Sequence, residues 1–574
     1  MSGKSTPKKN ITKANKKPGV NDKGRKVLHV LFLLTIGVLF VFNYKASFDP
    51  KLDPNGDNIN YFLLGKALSE GEGYVDLFPP EPVPHTHFPP GYPMFMSVFM
   101  QVFPDNIIAM KILNGLLFLI SVLLLFRIVR KATGGNLWLA FAVGVVTVMH
   151  SSLLRWSVVM MSEMLYMVIS FGIILICLDL DLGKIFTRTG RDWKQVVRLV
   201  GLCLLVISSY LVRTMGISVV LSAALAFGVT ALKYLLEKDR KWVKPAVVSV
   251  LVVLSLVVAH GGWSLRNRLV RPDYKSDYSS GFMYTEDRQR MTPSLWVDRI
   301  STNLKVFTGK FIPDSLLRPK EVIDHEKPKK PQAKGVIIGT LMILLMAYGI
   351  SRMKKGRVLI LSYIVITFAV LCLYQEQYAG VRYYIPVLPL MIFAALSGIQ
   401  GLFVLLSKLA FRKEIAAVGT VAALICSAAV FPSYLKGQQV YKDVASFKTY
   451  LEMNPNSDFA HYIMAAEWLK THAGNNAVVA CRKPEVMYIY SGYKHSIMFP
   501  LRGDEEEILR FLDESKINCI VVDTWARHAY TVFYPVMSNY PEAFPIYYKT
   551  PQDNSPAPTL VARYLPSKID KANP

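Results

Sequence analysis

The chain has 574 residues, 52% of them hydrophobic and 19% charged, with a mean hydropathy of +0.30. That is too apolar for an ordinary soluble protein and too often interrupted by charge for one continuous core, so it reads as a polytopic membrane protein. The formal net charge of +25 argues little for nucleic acid, because the excess lies in short clusters between apolar runs, the distribution that orients membrane proteins.

Residues 1 to 26 hold nine Lys or Arg against one acid, Asp22, which predicts a cytoplasmic tail. The apolar run from Val27 to Phe42 is followed by no small-residue cleavage site, so a start-anchor helix is expected rather than a removed signal peptide. "GKST" at Gly3 to Thr6 imitates the end of a phosphate-binding loop but lacks the upstream glycine and the preceding strand. Of the six cysteines, Cys177, Cys203, Cys372 and Cys426 fall in apolar runs, where a thiol acts as a small hydrophobe. Cys481 and Cys519 fall on two predicted strands; a disulfide stays open there if the strands are neighbours, with unpaired burial preferred.

A membrane-spanning helix needs about 20 mostly apolar residues. About eleven stretches qualify: 27–43, 107–126, 136–150, 157–179, 196–211, 214–233, 245–264, 335–351, 358–374, 384–406 and 415–431. Basic clusters follow every second one, namely Arg127 to Lys131, Lys184 to Lys194, Lys233 to Lys244, Arg352 to Arg357 and Lys408 to Lys413. That alternation fits a cytoplasmic N-terminus. The expected organisation is a basic tail (1–26), a transmembrane region (27–431) with outer loops 44–106 and 265–334, and an extracytoplasmic α/β domain (432–574). The loop 265–334 is itself basic, and an anionic substrate is one reason for that charge. In the last region "HYIMAAEWLKTH" and "EEEILRFLDES" read as helices and "AVVAC", "NCIVVD" and "TLVARYL" as strands, which predicts a small sheet covered by helices.

Ionisable residues in apolar segments fall near the predicted outer ends: Lys111, His150, Glu163, Arg213, His260, Arg266 and Arg382. Each is costly in lipid unless paired or wetted. A secondary transporter would set its coupling acids near the bilayer midplane, so a site at the outer membrane surface is expected instead. In the first outer loop, Asp57, Tyr61, Leu64 and Leu68 recur at helical spacing, which predicts an interfacial helix over residues 57–69 closed by Gly71. Asp57 would stand at its N-terminal end, either as a helix cap or as a reactive acid. "PHTHFPPGYPMF" (84–95) follows as a proline-stiffened segment. Its His85 and His87 lie two apart and would need a third ligand to hold a metal.

These pieces, "GDNINYFLLGKALSEGEGY", "HFPPGYP", "MSEMLY", "YLVRTMGI", "WSLRN" and "VRYYIPVLPL", taken in this order, resemble the membrane-embedded C-type glycosyltransferases, the group of the dolichyl-phosphate-mannose protein mannosyltransferases and the lipid A aminoarabinose transferases. The resemblance spreads over most of the membrane part, and the C-terminal unit looks like the periplasmic domain of some members. It implies inverting transfer of one sugar from a polyprenyl-phosphate donor to a lipid, glycan or protein acceptor at the extracytoplasmic face, with Asp57 in the place of the family's first-loop catalytic acid. Many members carry an adjacent acidic pair there; Asn58 stands beside Asp57 here, which puts a mechanism needing a divalent metal in doubt. Inverting transfer needs one carboxylate as base and cations to stabilise the departing phosphate. The candidates are Asp57 as base, Arg213, Arg266 and Arg382 at the phosphate, Glu163 positioning substrate, and Tyr61, His87 and Tyr92 lining the pocket. The competing classes are a lipid-linked glycan polymerase or ligase and a flippase. The only Asn-x-Ser/Thr site, Asn10 to Thr12, lies in the predicted cytoplasmic tail, which favours a bacterial inner membrane.

Overall fold

The computed structural model describes residues 22–50, 52, 57–185, 192–272, 281–285, 289–317, 333–375, 380–444, 458–500, 503–524, 529–551 and 558–569. Most of the basic tail, with "GKST" and the Asn10 site, lies outside them, as do Arg188, Arg191 and much of the loop 265–334.

The membrane part is helical. It opens with α1 (Asp22–Ser47) and α2 (Asn58–Glu70), then a short hairpin of β1 (Val75–Asp76) and β2 (Val83–Pro84), then α3 (Gly91–Met100). There follow α4 (Ile107–Thr133), α5 (Leu137–Met149), α6 (Ser151–Ser157), α7 (Glu163–Asp179), α8 (Leu182–Ile185), α9 (Trp193–Val212), α10 (Gly216–Leu236) and α11 (Val243–Val270). The remainder comprises α12 (Pro293–Val306), α13 (Ile312–Leu317), α14 (Ala333–Ser351), α15 (Arg357–Leu373), α16 (Val381–Tyr384), α17 (Leu388–Phe411) and α18 (Ala416–Val444). Each of the eleven apolar stretches coincides with one of these helices. Among the described residues, eight helices are long and apolar enough to cross a bilayer, and the pair α5 and α6, bent by 61° at His150, makes a ninth if taken as one span. The helices α7 and α15 have 17 residues each, just below the usual spanning length. The chain is thus a polytopic membrane protein.

Lipid-free packing between helices rests on close approach of backbones. A Cβ added at Gly349 of α14 would fall 2.0 Å from the Ala394 carbonyl of α17, and one at Gly398 of α17 would fall 2.2 Å from that of Leu345. Small residues at such a crossing exchange bulk for van der Waals contact. The helix predicted over 57–69 is α2, and its chain reverses at Gly71, which takes a left-handed conformation with φ 84° that costs glycine little.

The C-terminal unit is a five-stranded sheet with helices. Its elements are α19 (Asp458–His472), β3 (Val478–Cys481), α20 (Pro484–Tyr490), β4 (His495–Met498), α21 (Glu505–Glu514), β5 (Cys519–Val522), α22 (Tyr534–Asn539), β6 (Ile546–Lys549) and β7 (Leu560–Arg563), and the strand order is β4-β3-β5-β7-β6. The strands β4, β3 and β5 run parallel, and β7 is antiparallel to both β5 and β6. Two strands escape the sequence pattern: β6, whose side chains are largely exposed, and β4, which mixes His, Ser, Ile and Met. The six cysteines are free. Cys481 and Cys519 do lie on neighbouring strands, but the register sets Cys519 opposite Val479, so the two thiols do not face each other.

Candidate active site

Four loops or helix ends meet beside the start of α2. Asp57 is the residue preceding α2, yet its side chain makes no capping bond to that helix. The carboxylate turns away, and Oδ2 accepts from Arg382 Nη2 at 2.6 Å. Arg382, on α16, also donates from Nε to Glu163 Oε1 at 2.8 Å. The same Glu163 oxygen takes Arg213 Nη1 at 2.7 Å, and Arg213 Nη1 reaches Ser162 Oγ at 3.1 Å. Two carboxylates and two guanidinium groups therefore form one alternating chain, Asp57 to Arg382 to Glu163 to Arg213, contributed by residues up to 325 apart in sequence.

Burial grades along that chain. The Glu163 side chain is 0% exposed, Arg213 10%, Arg382 18% and Asp57 33%, so Asp57 is the end open to solvent. Burial alone would raise the Asp57 carboxyl, but the charge and hydrogen bond of Arg382, with His87 and Arg213 nearby, outweigh it and hold the group below the usual carboxylate range. Among the described residues Glu163 Oε2 and the Arg213 Nε find no hydrogen-bond partner although both are buried. An orphaned polar atom of this kind is expensive.

Aromatic rings wall the cluster. The Arg382 guanidinium stands 5.7 Å from the ring centres of Trp156 and Tyr383, and Arg213 6.0 Å from that of Tyr383. Tyr61, on α2, shares a 3.4 Å contact with Ser162 Oγ and meets Tyr92 edge to face at 5.1 Å. Burial, with Asp57 nearby, pushes the Tyr61 hydroxyl up to about 12, so it stays neutral. Tyr92 in turn donates to Asn114 Oδ1 at 3.5 Å, while Asn114 Nδ2 donates to the carbonyls of Trp156, Ser157 and Val159. Asn114 thus fixes the turn from α6 into α7 that delivers Ser162 and Glu163.

Of the residues expected from sequence, Asp57, Glu163, Arg213, Arg382, Tyr61 and Tyr92 come together, and His87 lies near enough for its charge to act on Asp57. Arg266 does not join them. Its guanidinium donates to the carbonyls of His85 and Tyr74 and to Asn267 Oδ1, and it stands over the rings of Tyr74 and Trp263. It clamps the first loop onto α11, which consumes the donors a phosphate would need. His85 is likewise occupied: Nε2 accepts from the Phe88 amide at 2.9 Å, so Nδ1 donates to Asp76 at 2.8 Å. Sequence reasoning missed Ser162, Tyr383 and Trp156. The first two sit inside "MSEMLY" and "VRYYIP" but carry no charge to draw the eye. Asn58, buried beside Asp57 with both amide atoms unpartnered among the described residues, was noticed only as a departure from an acidic pair.

A divalent ion does not suit this donor set. Each carboxylate is already neutralised by a guanidinium group, and among the described residues no group of three or more His, Cys, Asp or Glu side chains is placed to hold one. No step below runs through a metal.

No protein-family model matches the chain, and comparison with curated proteins gives no match. Its architecture is similar to solved membrane transferases. The oligosaccharyltransferase AglB from Archaeoglobus fulgidus, in complex with an inhibitory peptide and a dolichol-phosphate, superposes with a TM-score of 0.55 at 13% identity, over 95% of this chain and 75% of that one. ArnT from Cupriavidus metallidurans superposes with a TM-score of 0.53 at 13% identity in the apo state and at 12% identity bound to undecaprenyl phosphate, each over 95% of this chain and 99% of that one. The chain has the fold of the membrane-embedded C-type glycosyltransferases.

Proposed function

We propose that this protein is an inverting glycosyltransferase that moves a sugar from a polyprenyl-phosphate carrier to an acceptor hydroxyl, with Asp57 as general base. The observation that carries the reading is the carboxylate of Asp57, released from its own helix cap and held at the open end of a buried chain of guanidinium groups. Support comes from the fold shared with AglB and ArnT, structures of which hold dolichol-phosphate and undecaprenyl phosphate.

In the transfer step the acceptor oxygen bonds to the anomeric carbon from the face opposite the phosphate. The bond from that carbon to the phosphate oxygen breaks, its electron pair stays on the phosphate, and the acceptor's proton passes to Asp57. A base held below the usual carboxylate range suffices, because the hydroxyl becomes acidic as the anomeric carbon gains positive charge. Arg382 and Arg213 meet the charge that develops on the leaving phosphate. Glu163 Oε2 is left to accept from a sugar hydroxyl, and Tyr61, Tyr92 and His87 flank the site. A lipid-bound donor is consistent with a site at the ends of membrane helices. On this reading the site faces the periplasm of a bacterial inner membrane, the N-terminus is cytoplasmic, and residues 432–574 form a periplasmic domain.

Asp57→Asn, purified in lipid nanodiscs and supplied with a radiolabelled polyprenyl-phosphate sugar, should remain folded, with an unfolding temperature lowered by loss of the ion pair to Arg382, and transfer no sugar. Wild-type turnover in that variant would remove Asp57 from the mechanism.

A further inference from the structure

Arg213 sits on the turn from α9 into α10, and its aim depends on that turn. The guanidinium contacts Glu163 and Ser162 through Nη1 alone, while Nε, which is buried, has no partner among the described residues. The backbone therefore decides where the group points. Arg213 is extended, with φ −157° and ψ 129°; its amide donates to the Ser209 carbonyl at 3.1 Å, and its own carbonyl accepts from the Gly216 amide at 2.7 Å. Neighbouring backbone crowds the turn on two sides. A Cβ at Gly216 would fall 2.4 Å from the Ser209 oxygen, and one at Gly91, at the start of α3, would fall 2.8 Å from that of Leu211.

The turn is tied to the bundle at the carbonyl of Met215. That oxygen accepts from the amide and the hydroxyl of Ser218, at 3.0 Å and 2.8 Å, and from the Tyr166 hydroxyl at 3.1 Å. Both Ser218 donors belong to α10 itself, so of the three only Tyr166 reaches across from another helix. Tyr166 stands three residues after Glu163 on α7 and so on the same side of it. One helix thus carries the acid that meets the Arg213 side chain and the hydroxyl that holds its turn. The direction of the next link follows from counting protons. A carbonyl only accepts, so the Tyr166 proton goes to Met215, and its oxygen is left to accept from Tyr363 of α15 at 3.1 Å. Ser170 gives its own proton to the Tyr166 carbonyl at 2.8 Å and is a second acceptor for Tyr363 at 3.1 Å. Tyr166, Ser170, Ser218 and Tyr363 are each no more than 2% exposed. Phenylalanine at 166 and 363 would fill the same space without hydroxyls that must be satisfied away from water, and the mechanism above uses neither tyrosine.

We infer that Tyr166, backed by Tyr363, is a positioning residue for the carrier's phosphate: by holding the Met215 carbonyl it sets the turn that aims Arg213. The inference rests on the reading of Arg213 as a phosphate ligand. Because Tyr166 acts through that one guanidinium, its loss weakens recognition of the phosphate and leaves recognition of the isoprenoid chain as it was. General loosening of the bundle would weaken both alike.

The test compares two lipids on the full chain in nanodiscs, undecaprenyl phosphate and undecaprenol, which differ only in the phosphate; native mass spectrometry reads the bound fraction of each. The wild type should prefer the phosphate, and Arg213→Gln should lose most of that preference. Tyr166→Phe should reduce it about ten-fold, the size of one well-placed hydrogen bond, with undecaprenol binding unchanged. In the Arg213→Gln background Tyr166→Phe should have no further effect, because the group it acts through is gone. If Tyr166→Phe does not fold, Tyr363→Phe should reduce the preference about three-fold, again only while Arg213 is present. An unchanged preference in the tyrosine variants, or a reduction that adds to that of Arg213→Gln, overturns the inference while leaving Arg213 at the phosphate. A wild type without the preference, or an Arg213→Gln variant that keeps it, would instead sink the underlying reading and the inference with it.

Discussion

At one end of the helix bundle Asp57, Glu163, Arg213 and Arg382 form a charge-balanced chain in which Glu163 is wholly buried. At the other end of α7, roughly 25 Å away by helix rise, Asp179 pairs with Lys131 and accepts from Arg198 through its carbonyl at 3.1 Å. The partners there are 35% and 24% exposed, and Arg130, Lys354 and Lys184, the last paired with Asp181 at 3.6 Å, add further charge nearby. The second end behaves as a solvated basic rim, the kind that sets orientation. The first has taken Glu163 and most of both guanidinium groups out of water and leaves Asp57 alone as its partly exposed end, a costly arrangement that stability alone rarely justifies.

Breaking the buried chain at its middle link should have the largest effect. Arg382 is the group shared by both carboxylates, so Arg382→Ala leaves Glu163 with Arg213 alone and Asp57 with no bonded cation. Removing one partner of a buried pair costs about 3–5 kcal/mol, and transfer should vanish with it. Arg382→Lys should not rescue activity, since a single ammonium lacks the fork that spans Asp57 and Glu163. Denaturant unfolding in nanodiscs reads the first effect, and an unchanged midpoint would show that the cluster is not a stability-bearing unit.

Arg213 tests the leaving-group role with less collateral damage. Arg213→Lys keeps a positive charge near Glu163 and Ser162 but forfeits the second guanidinium edge. A fall in kcat of roughly 10²–10³-fold is expected, the usual size for loss of one donor to a developing anion. If only the acceptor KM moved, Arg213 would belong to acceptor binding and not to the departing phosphate.

The pH dependence sharpens the contrast from the other direction. The Asp57 carboxyl is held below its ordinary range by Arg382 against the pull of burial. The bond between them therefore stabilises the folded protein above that ordinary range, and the contribution is lost as pH falls through the depressed value. Activity should follow the same group, with its acid limb below the pH expected of a free carboxylate. In Arg382→Gln burial acts unopposed by that cation, so the carboxyl titration of Asp57, followed by difference infrared spectroscopy against Asp57→Asn, should move upward; a titration that stays in place would assign the wild-type acid limb to another residue.

Much of the helical frame was legible because spanning helices announce themselves by length and hydropathy, and the break at His150 coincides with the end of a predicted span. The cluster was legible in its members, since Glu163, Arg213 and Arg382 are charges in apolar surroundings, but not in its wiring. Nothing local says that one guanidinium bridges two carboxylates. Arg266 shows the converse: it looked like its neighbours by position and charge, yet backbone carbonyls of the first loop claim it, and backbone acceptors leave no trace in sequence.

The smallest effect should come from the opposite rim. Lys131→Ala removes the partner of Asp179, but both side chains keep contact with water, and exposed pairs are worth about 0–1 kcal/mol. Asp179 can be rehydrated, and Arg198 and Lys184 remain nearby to screen it. Unfolding midpoint and transfer rate should both stay close to wild type, even though the substitution deletes an ion pair just as Arg382→Ala does. A loss comparable to that of Arg382→Ala would mean that burial does not separate the two ends after all, and the case for a functional cluster at Asp57 would lose its physical basis.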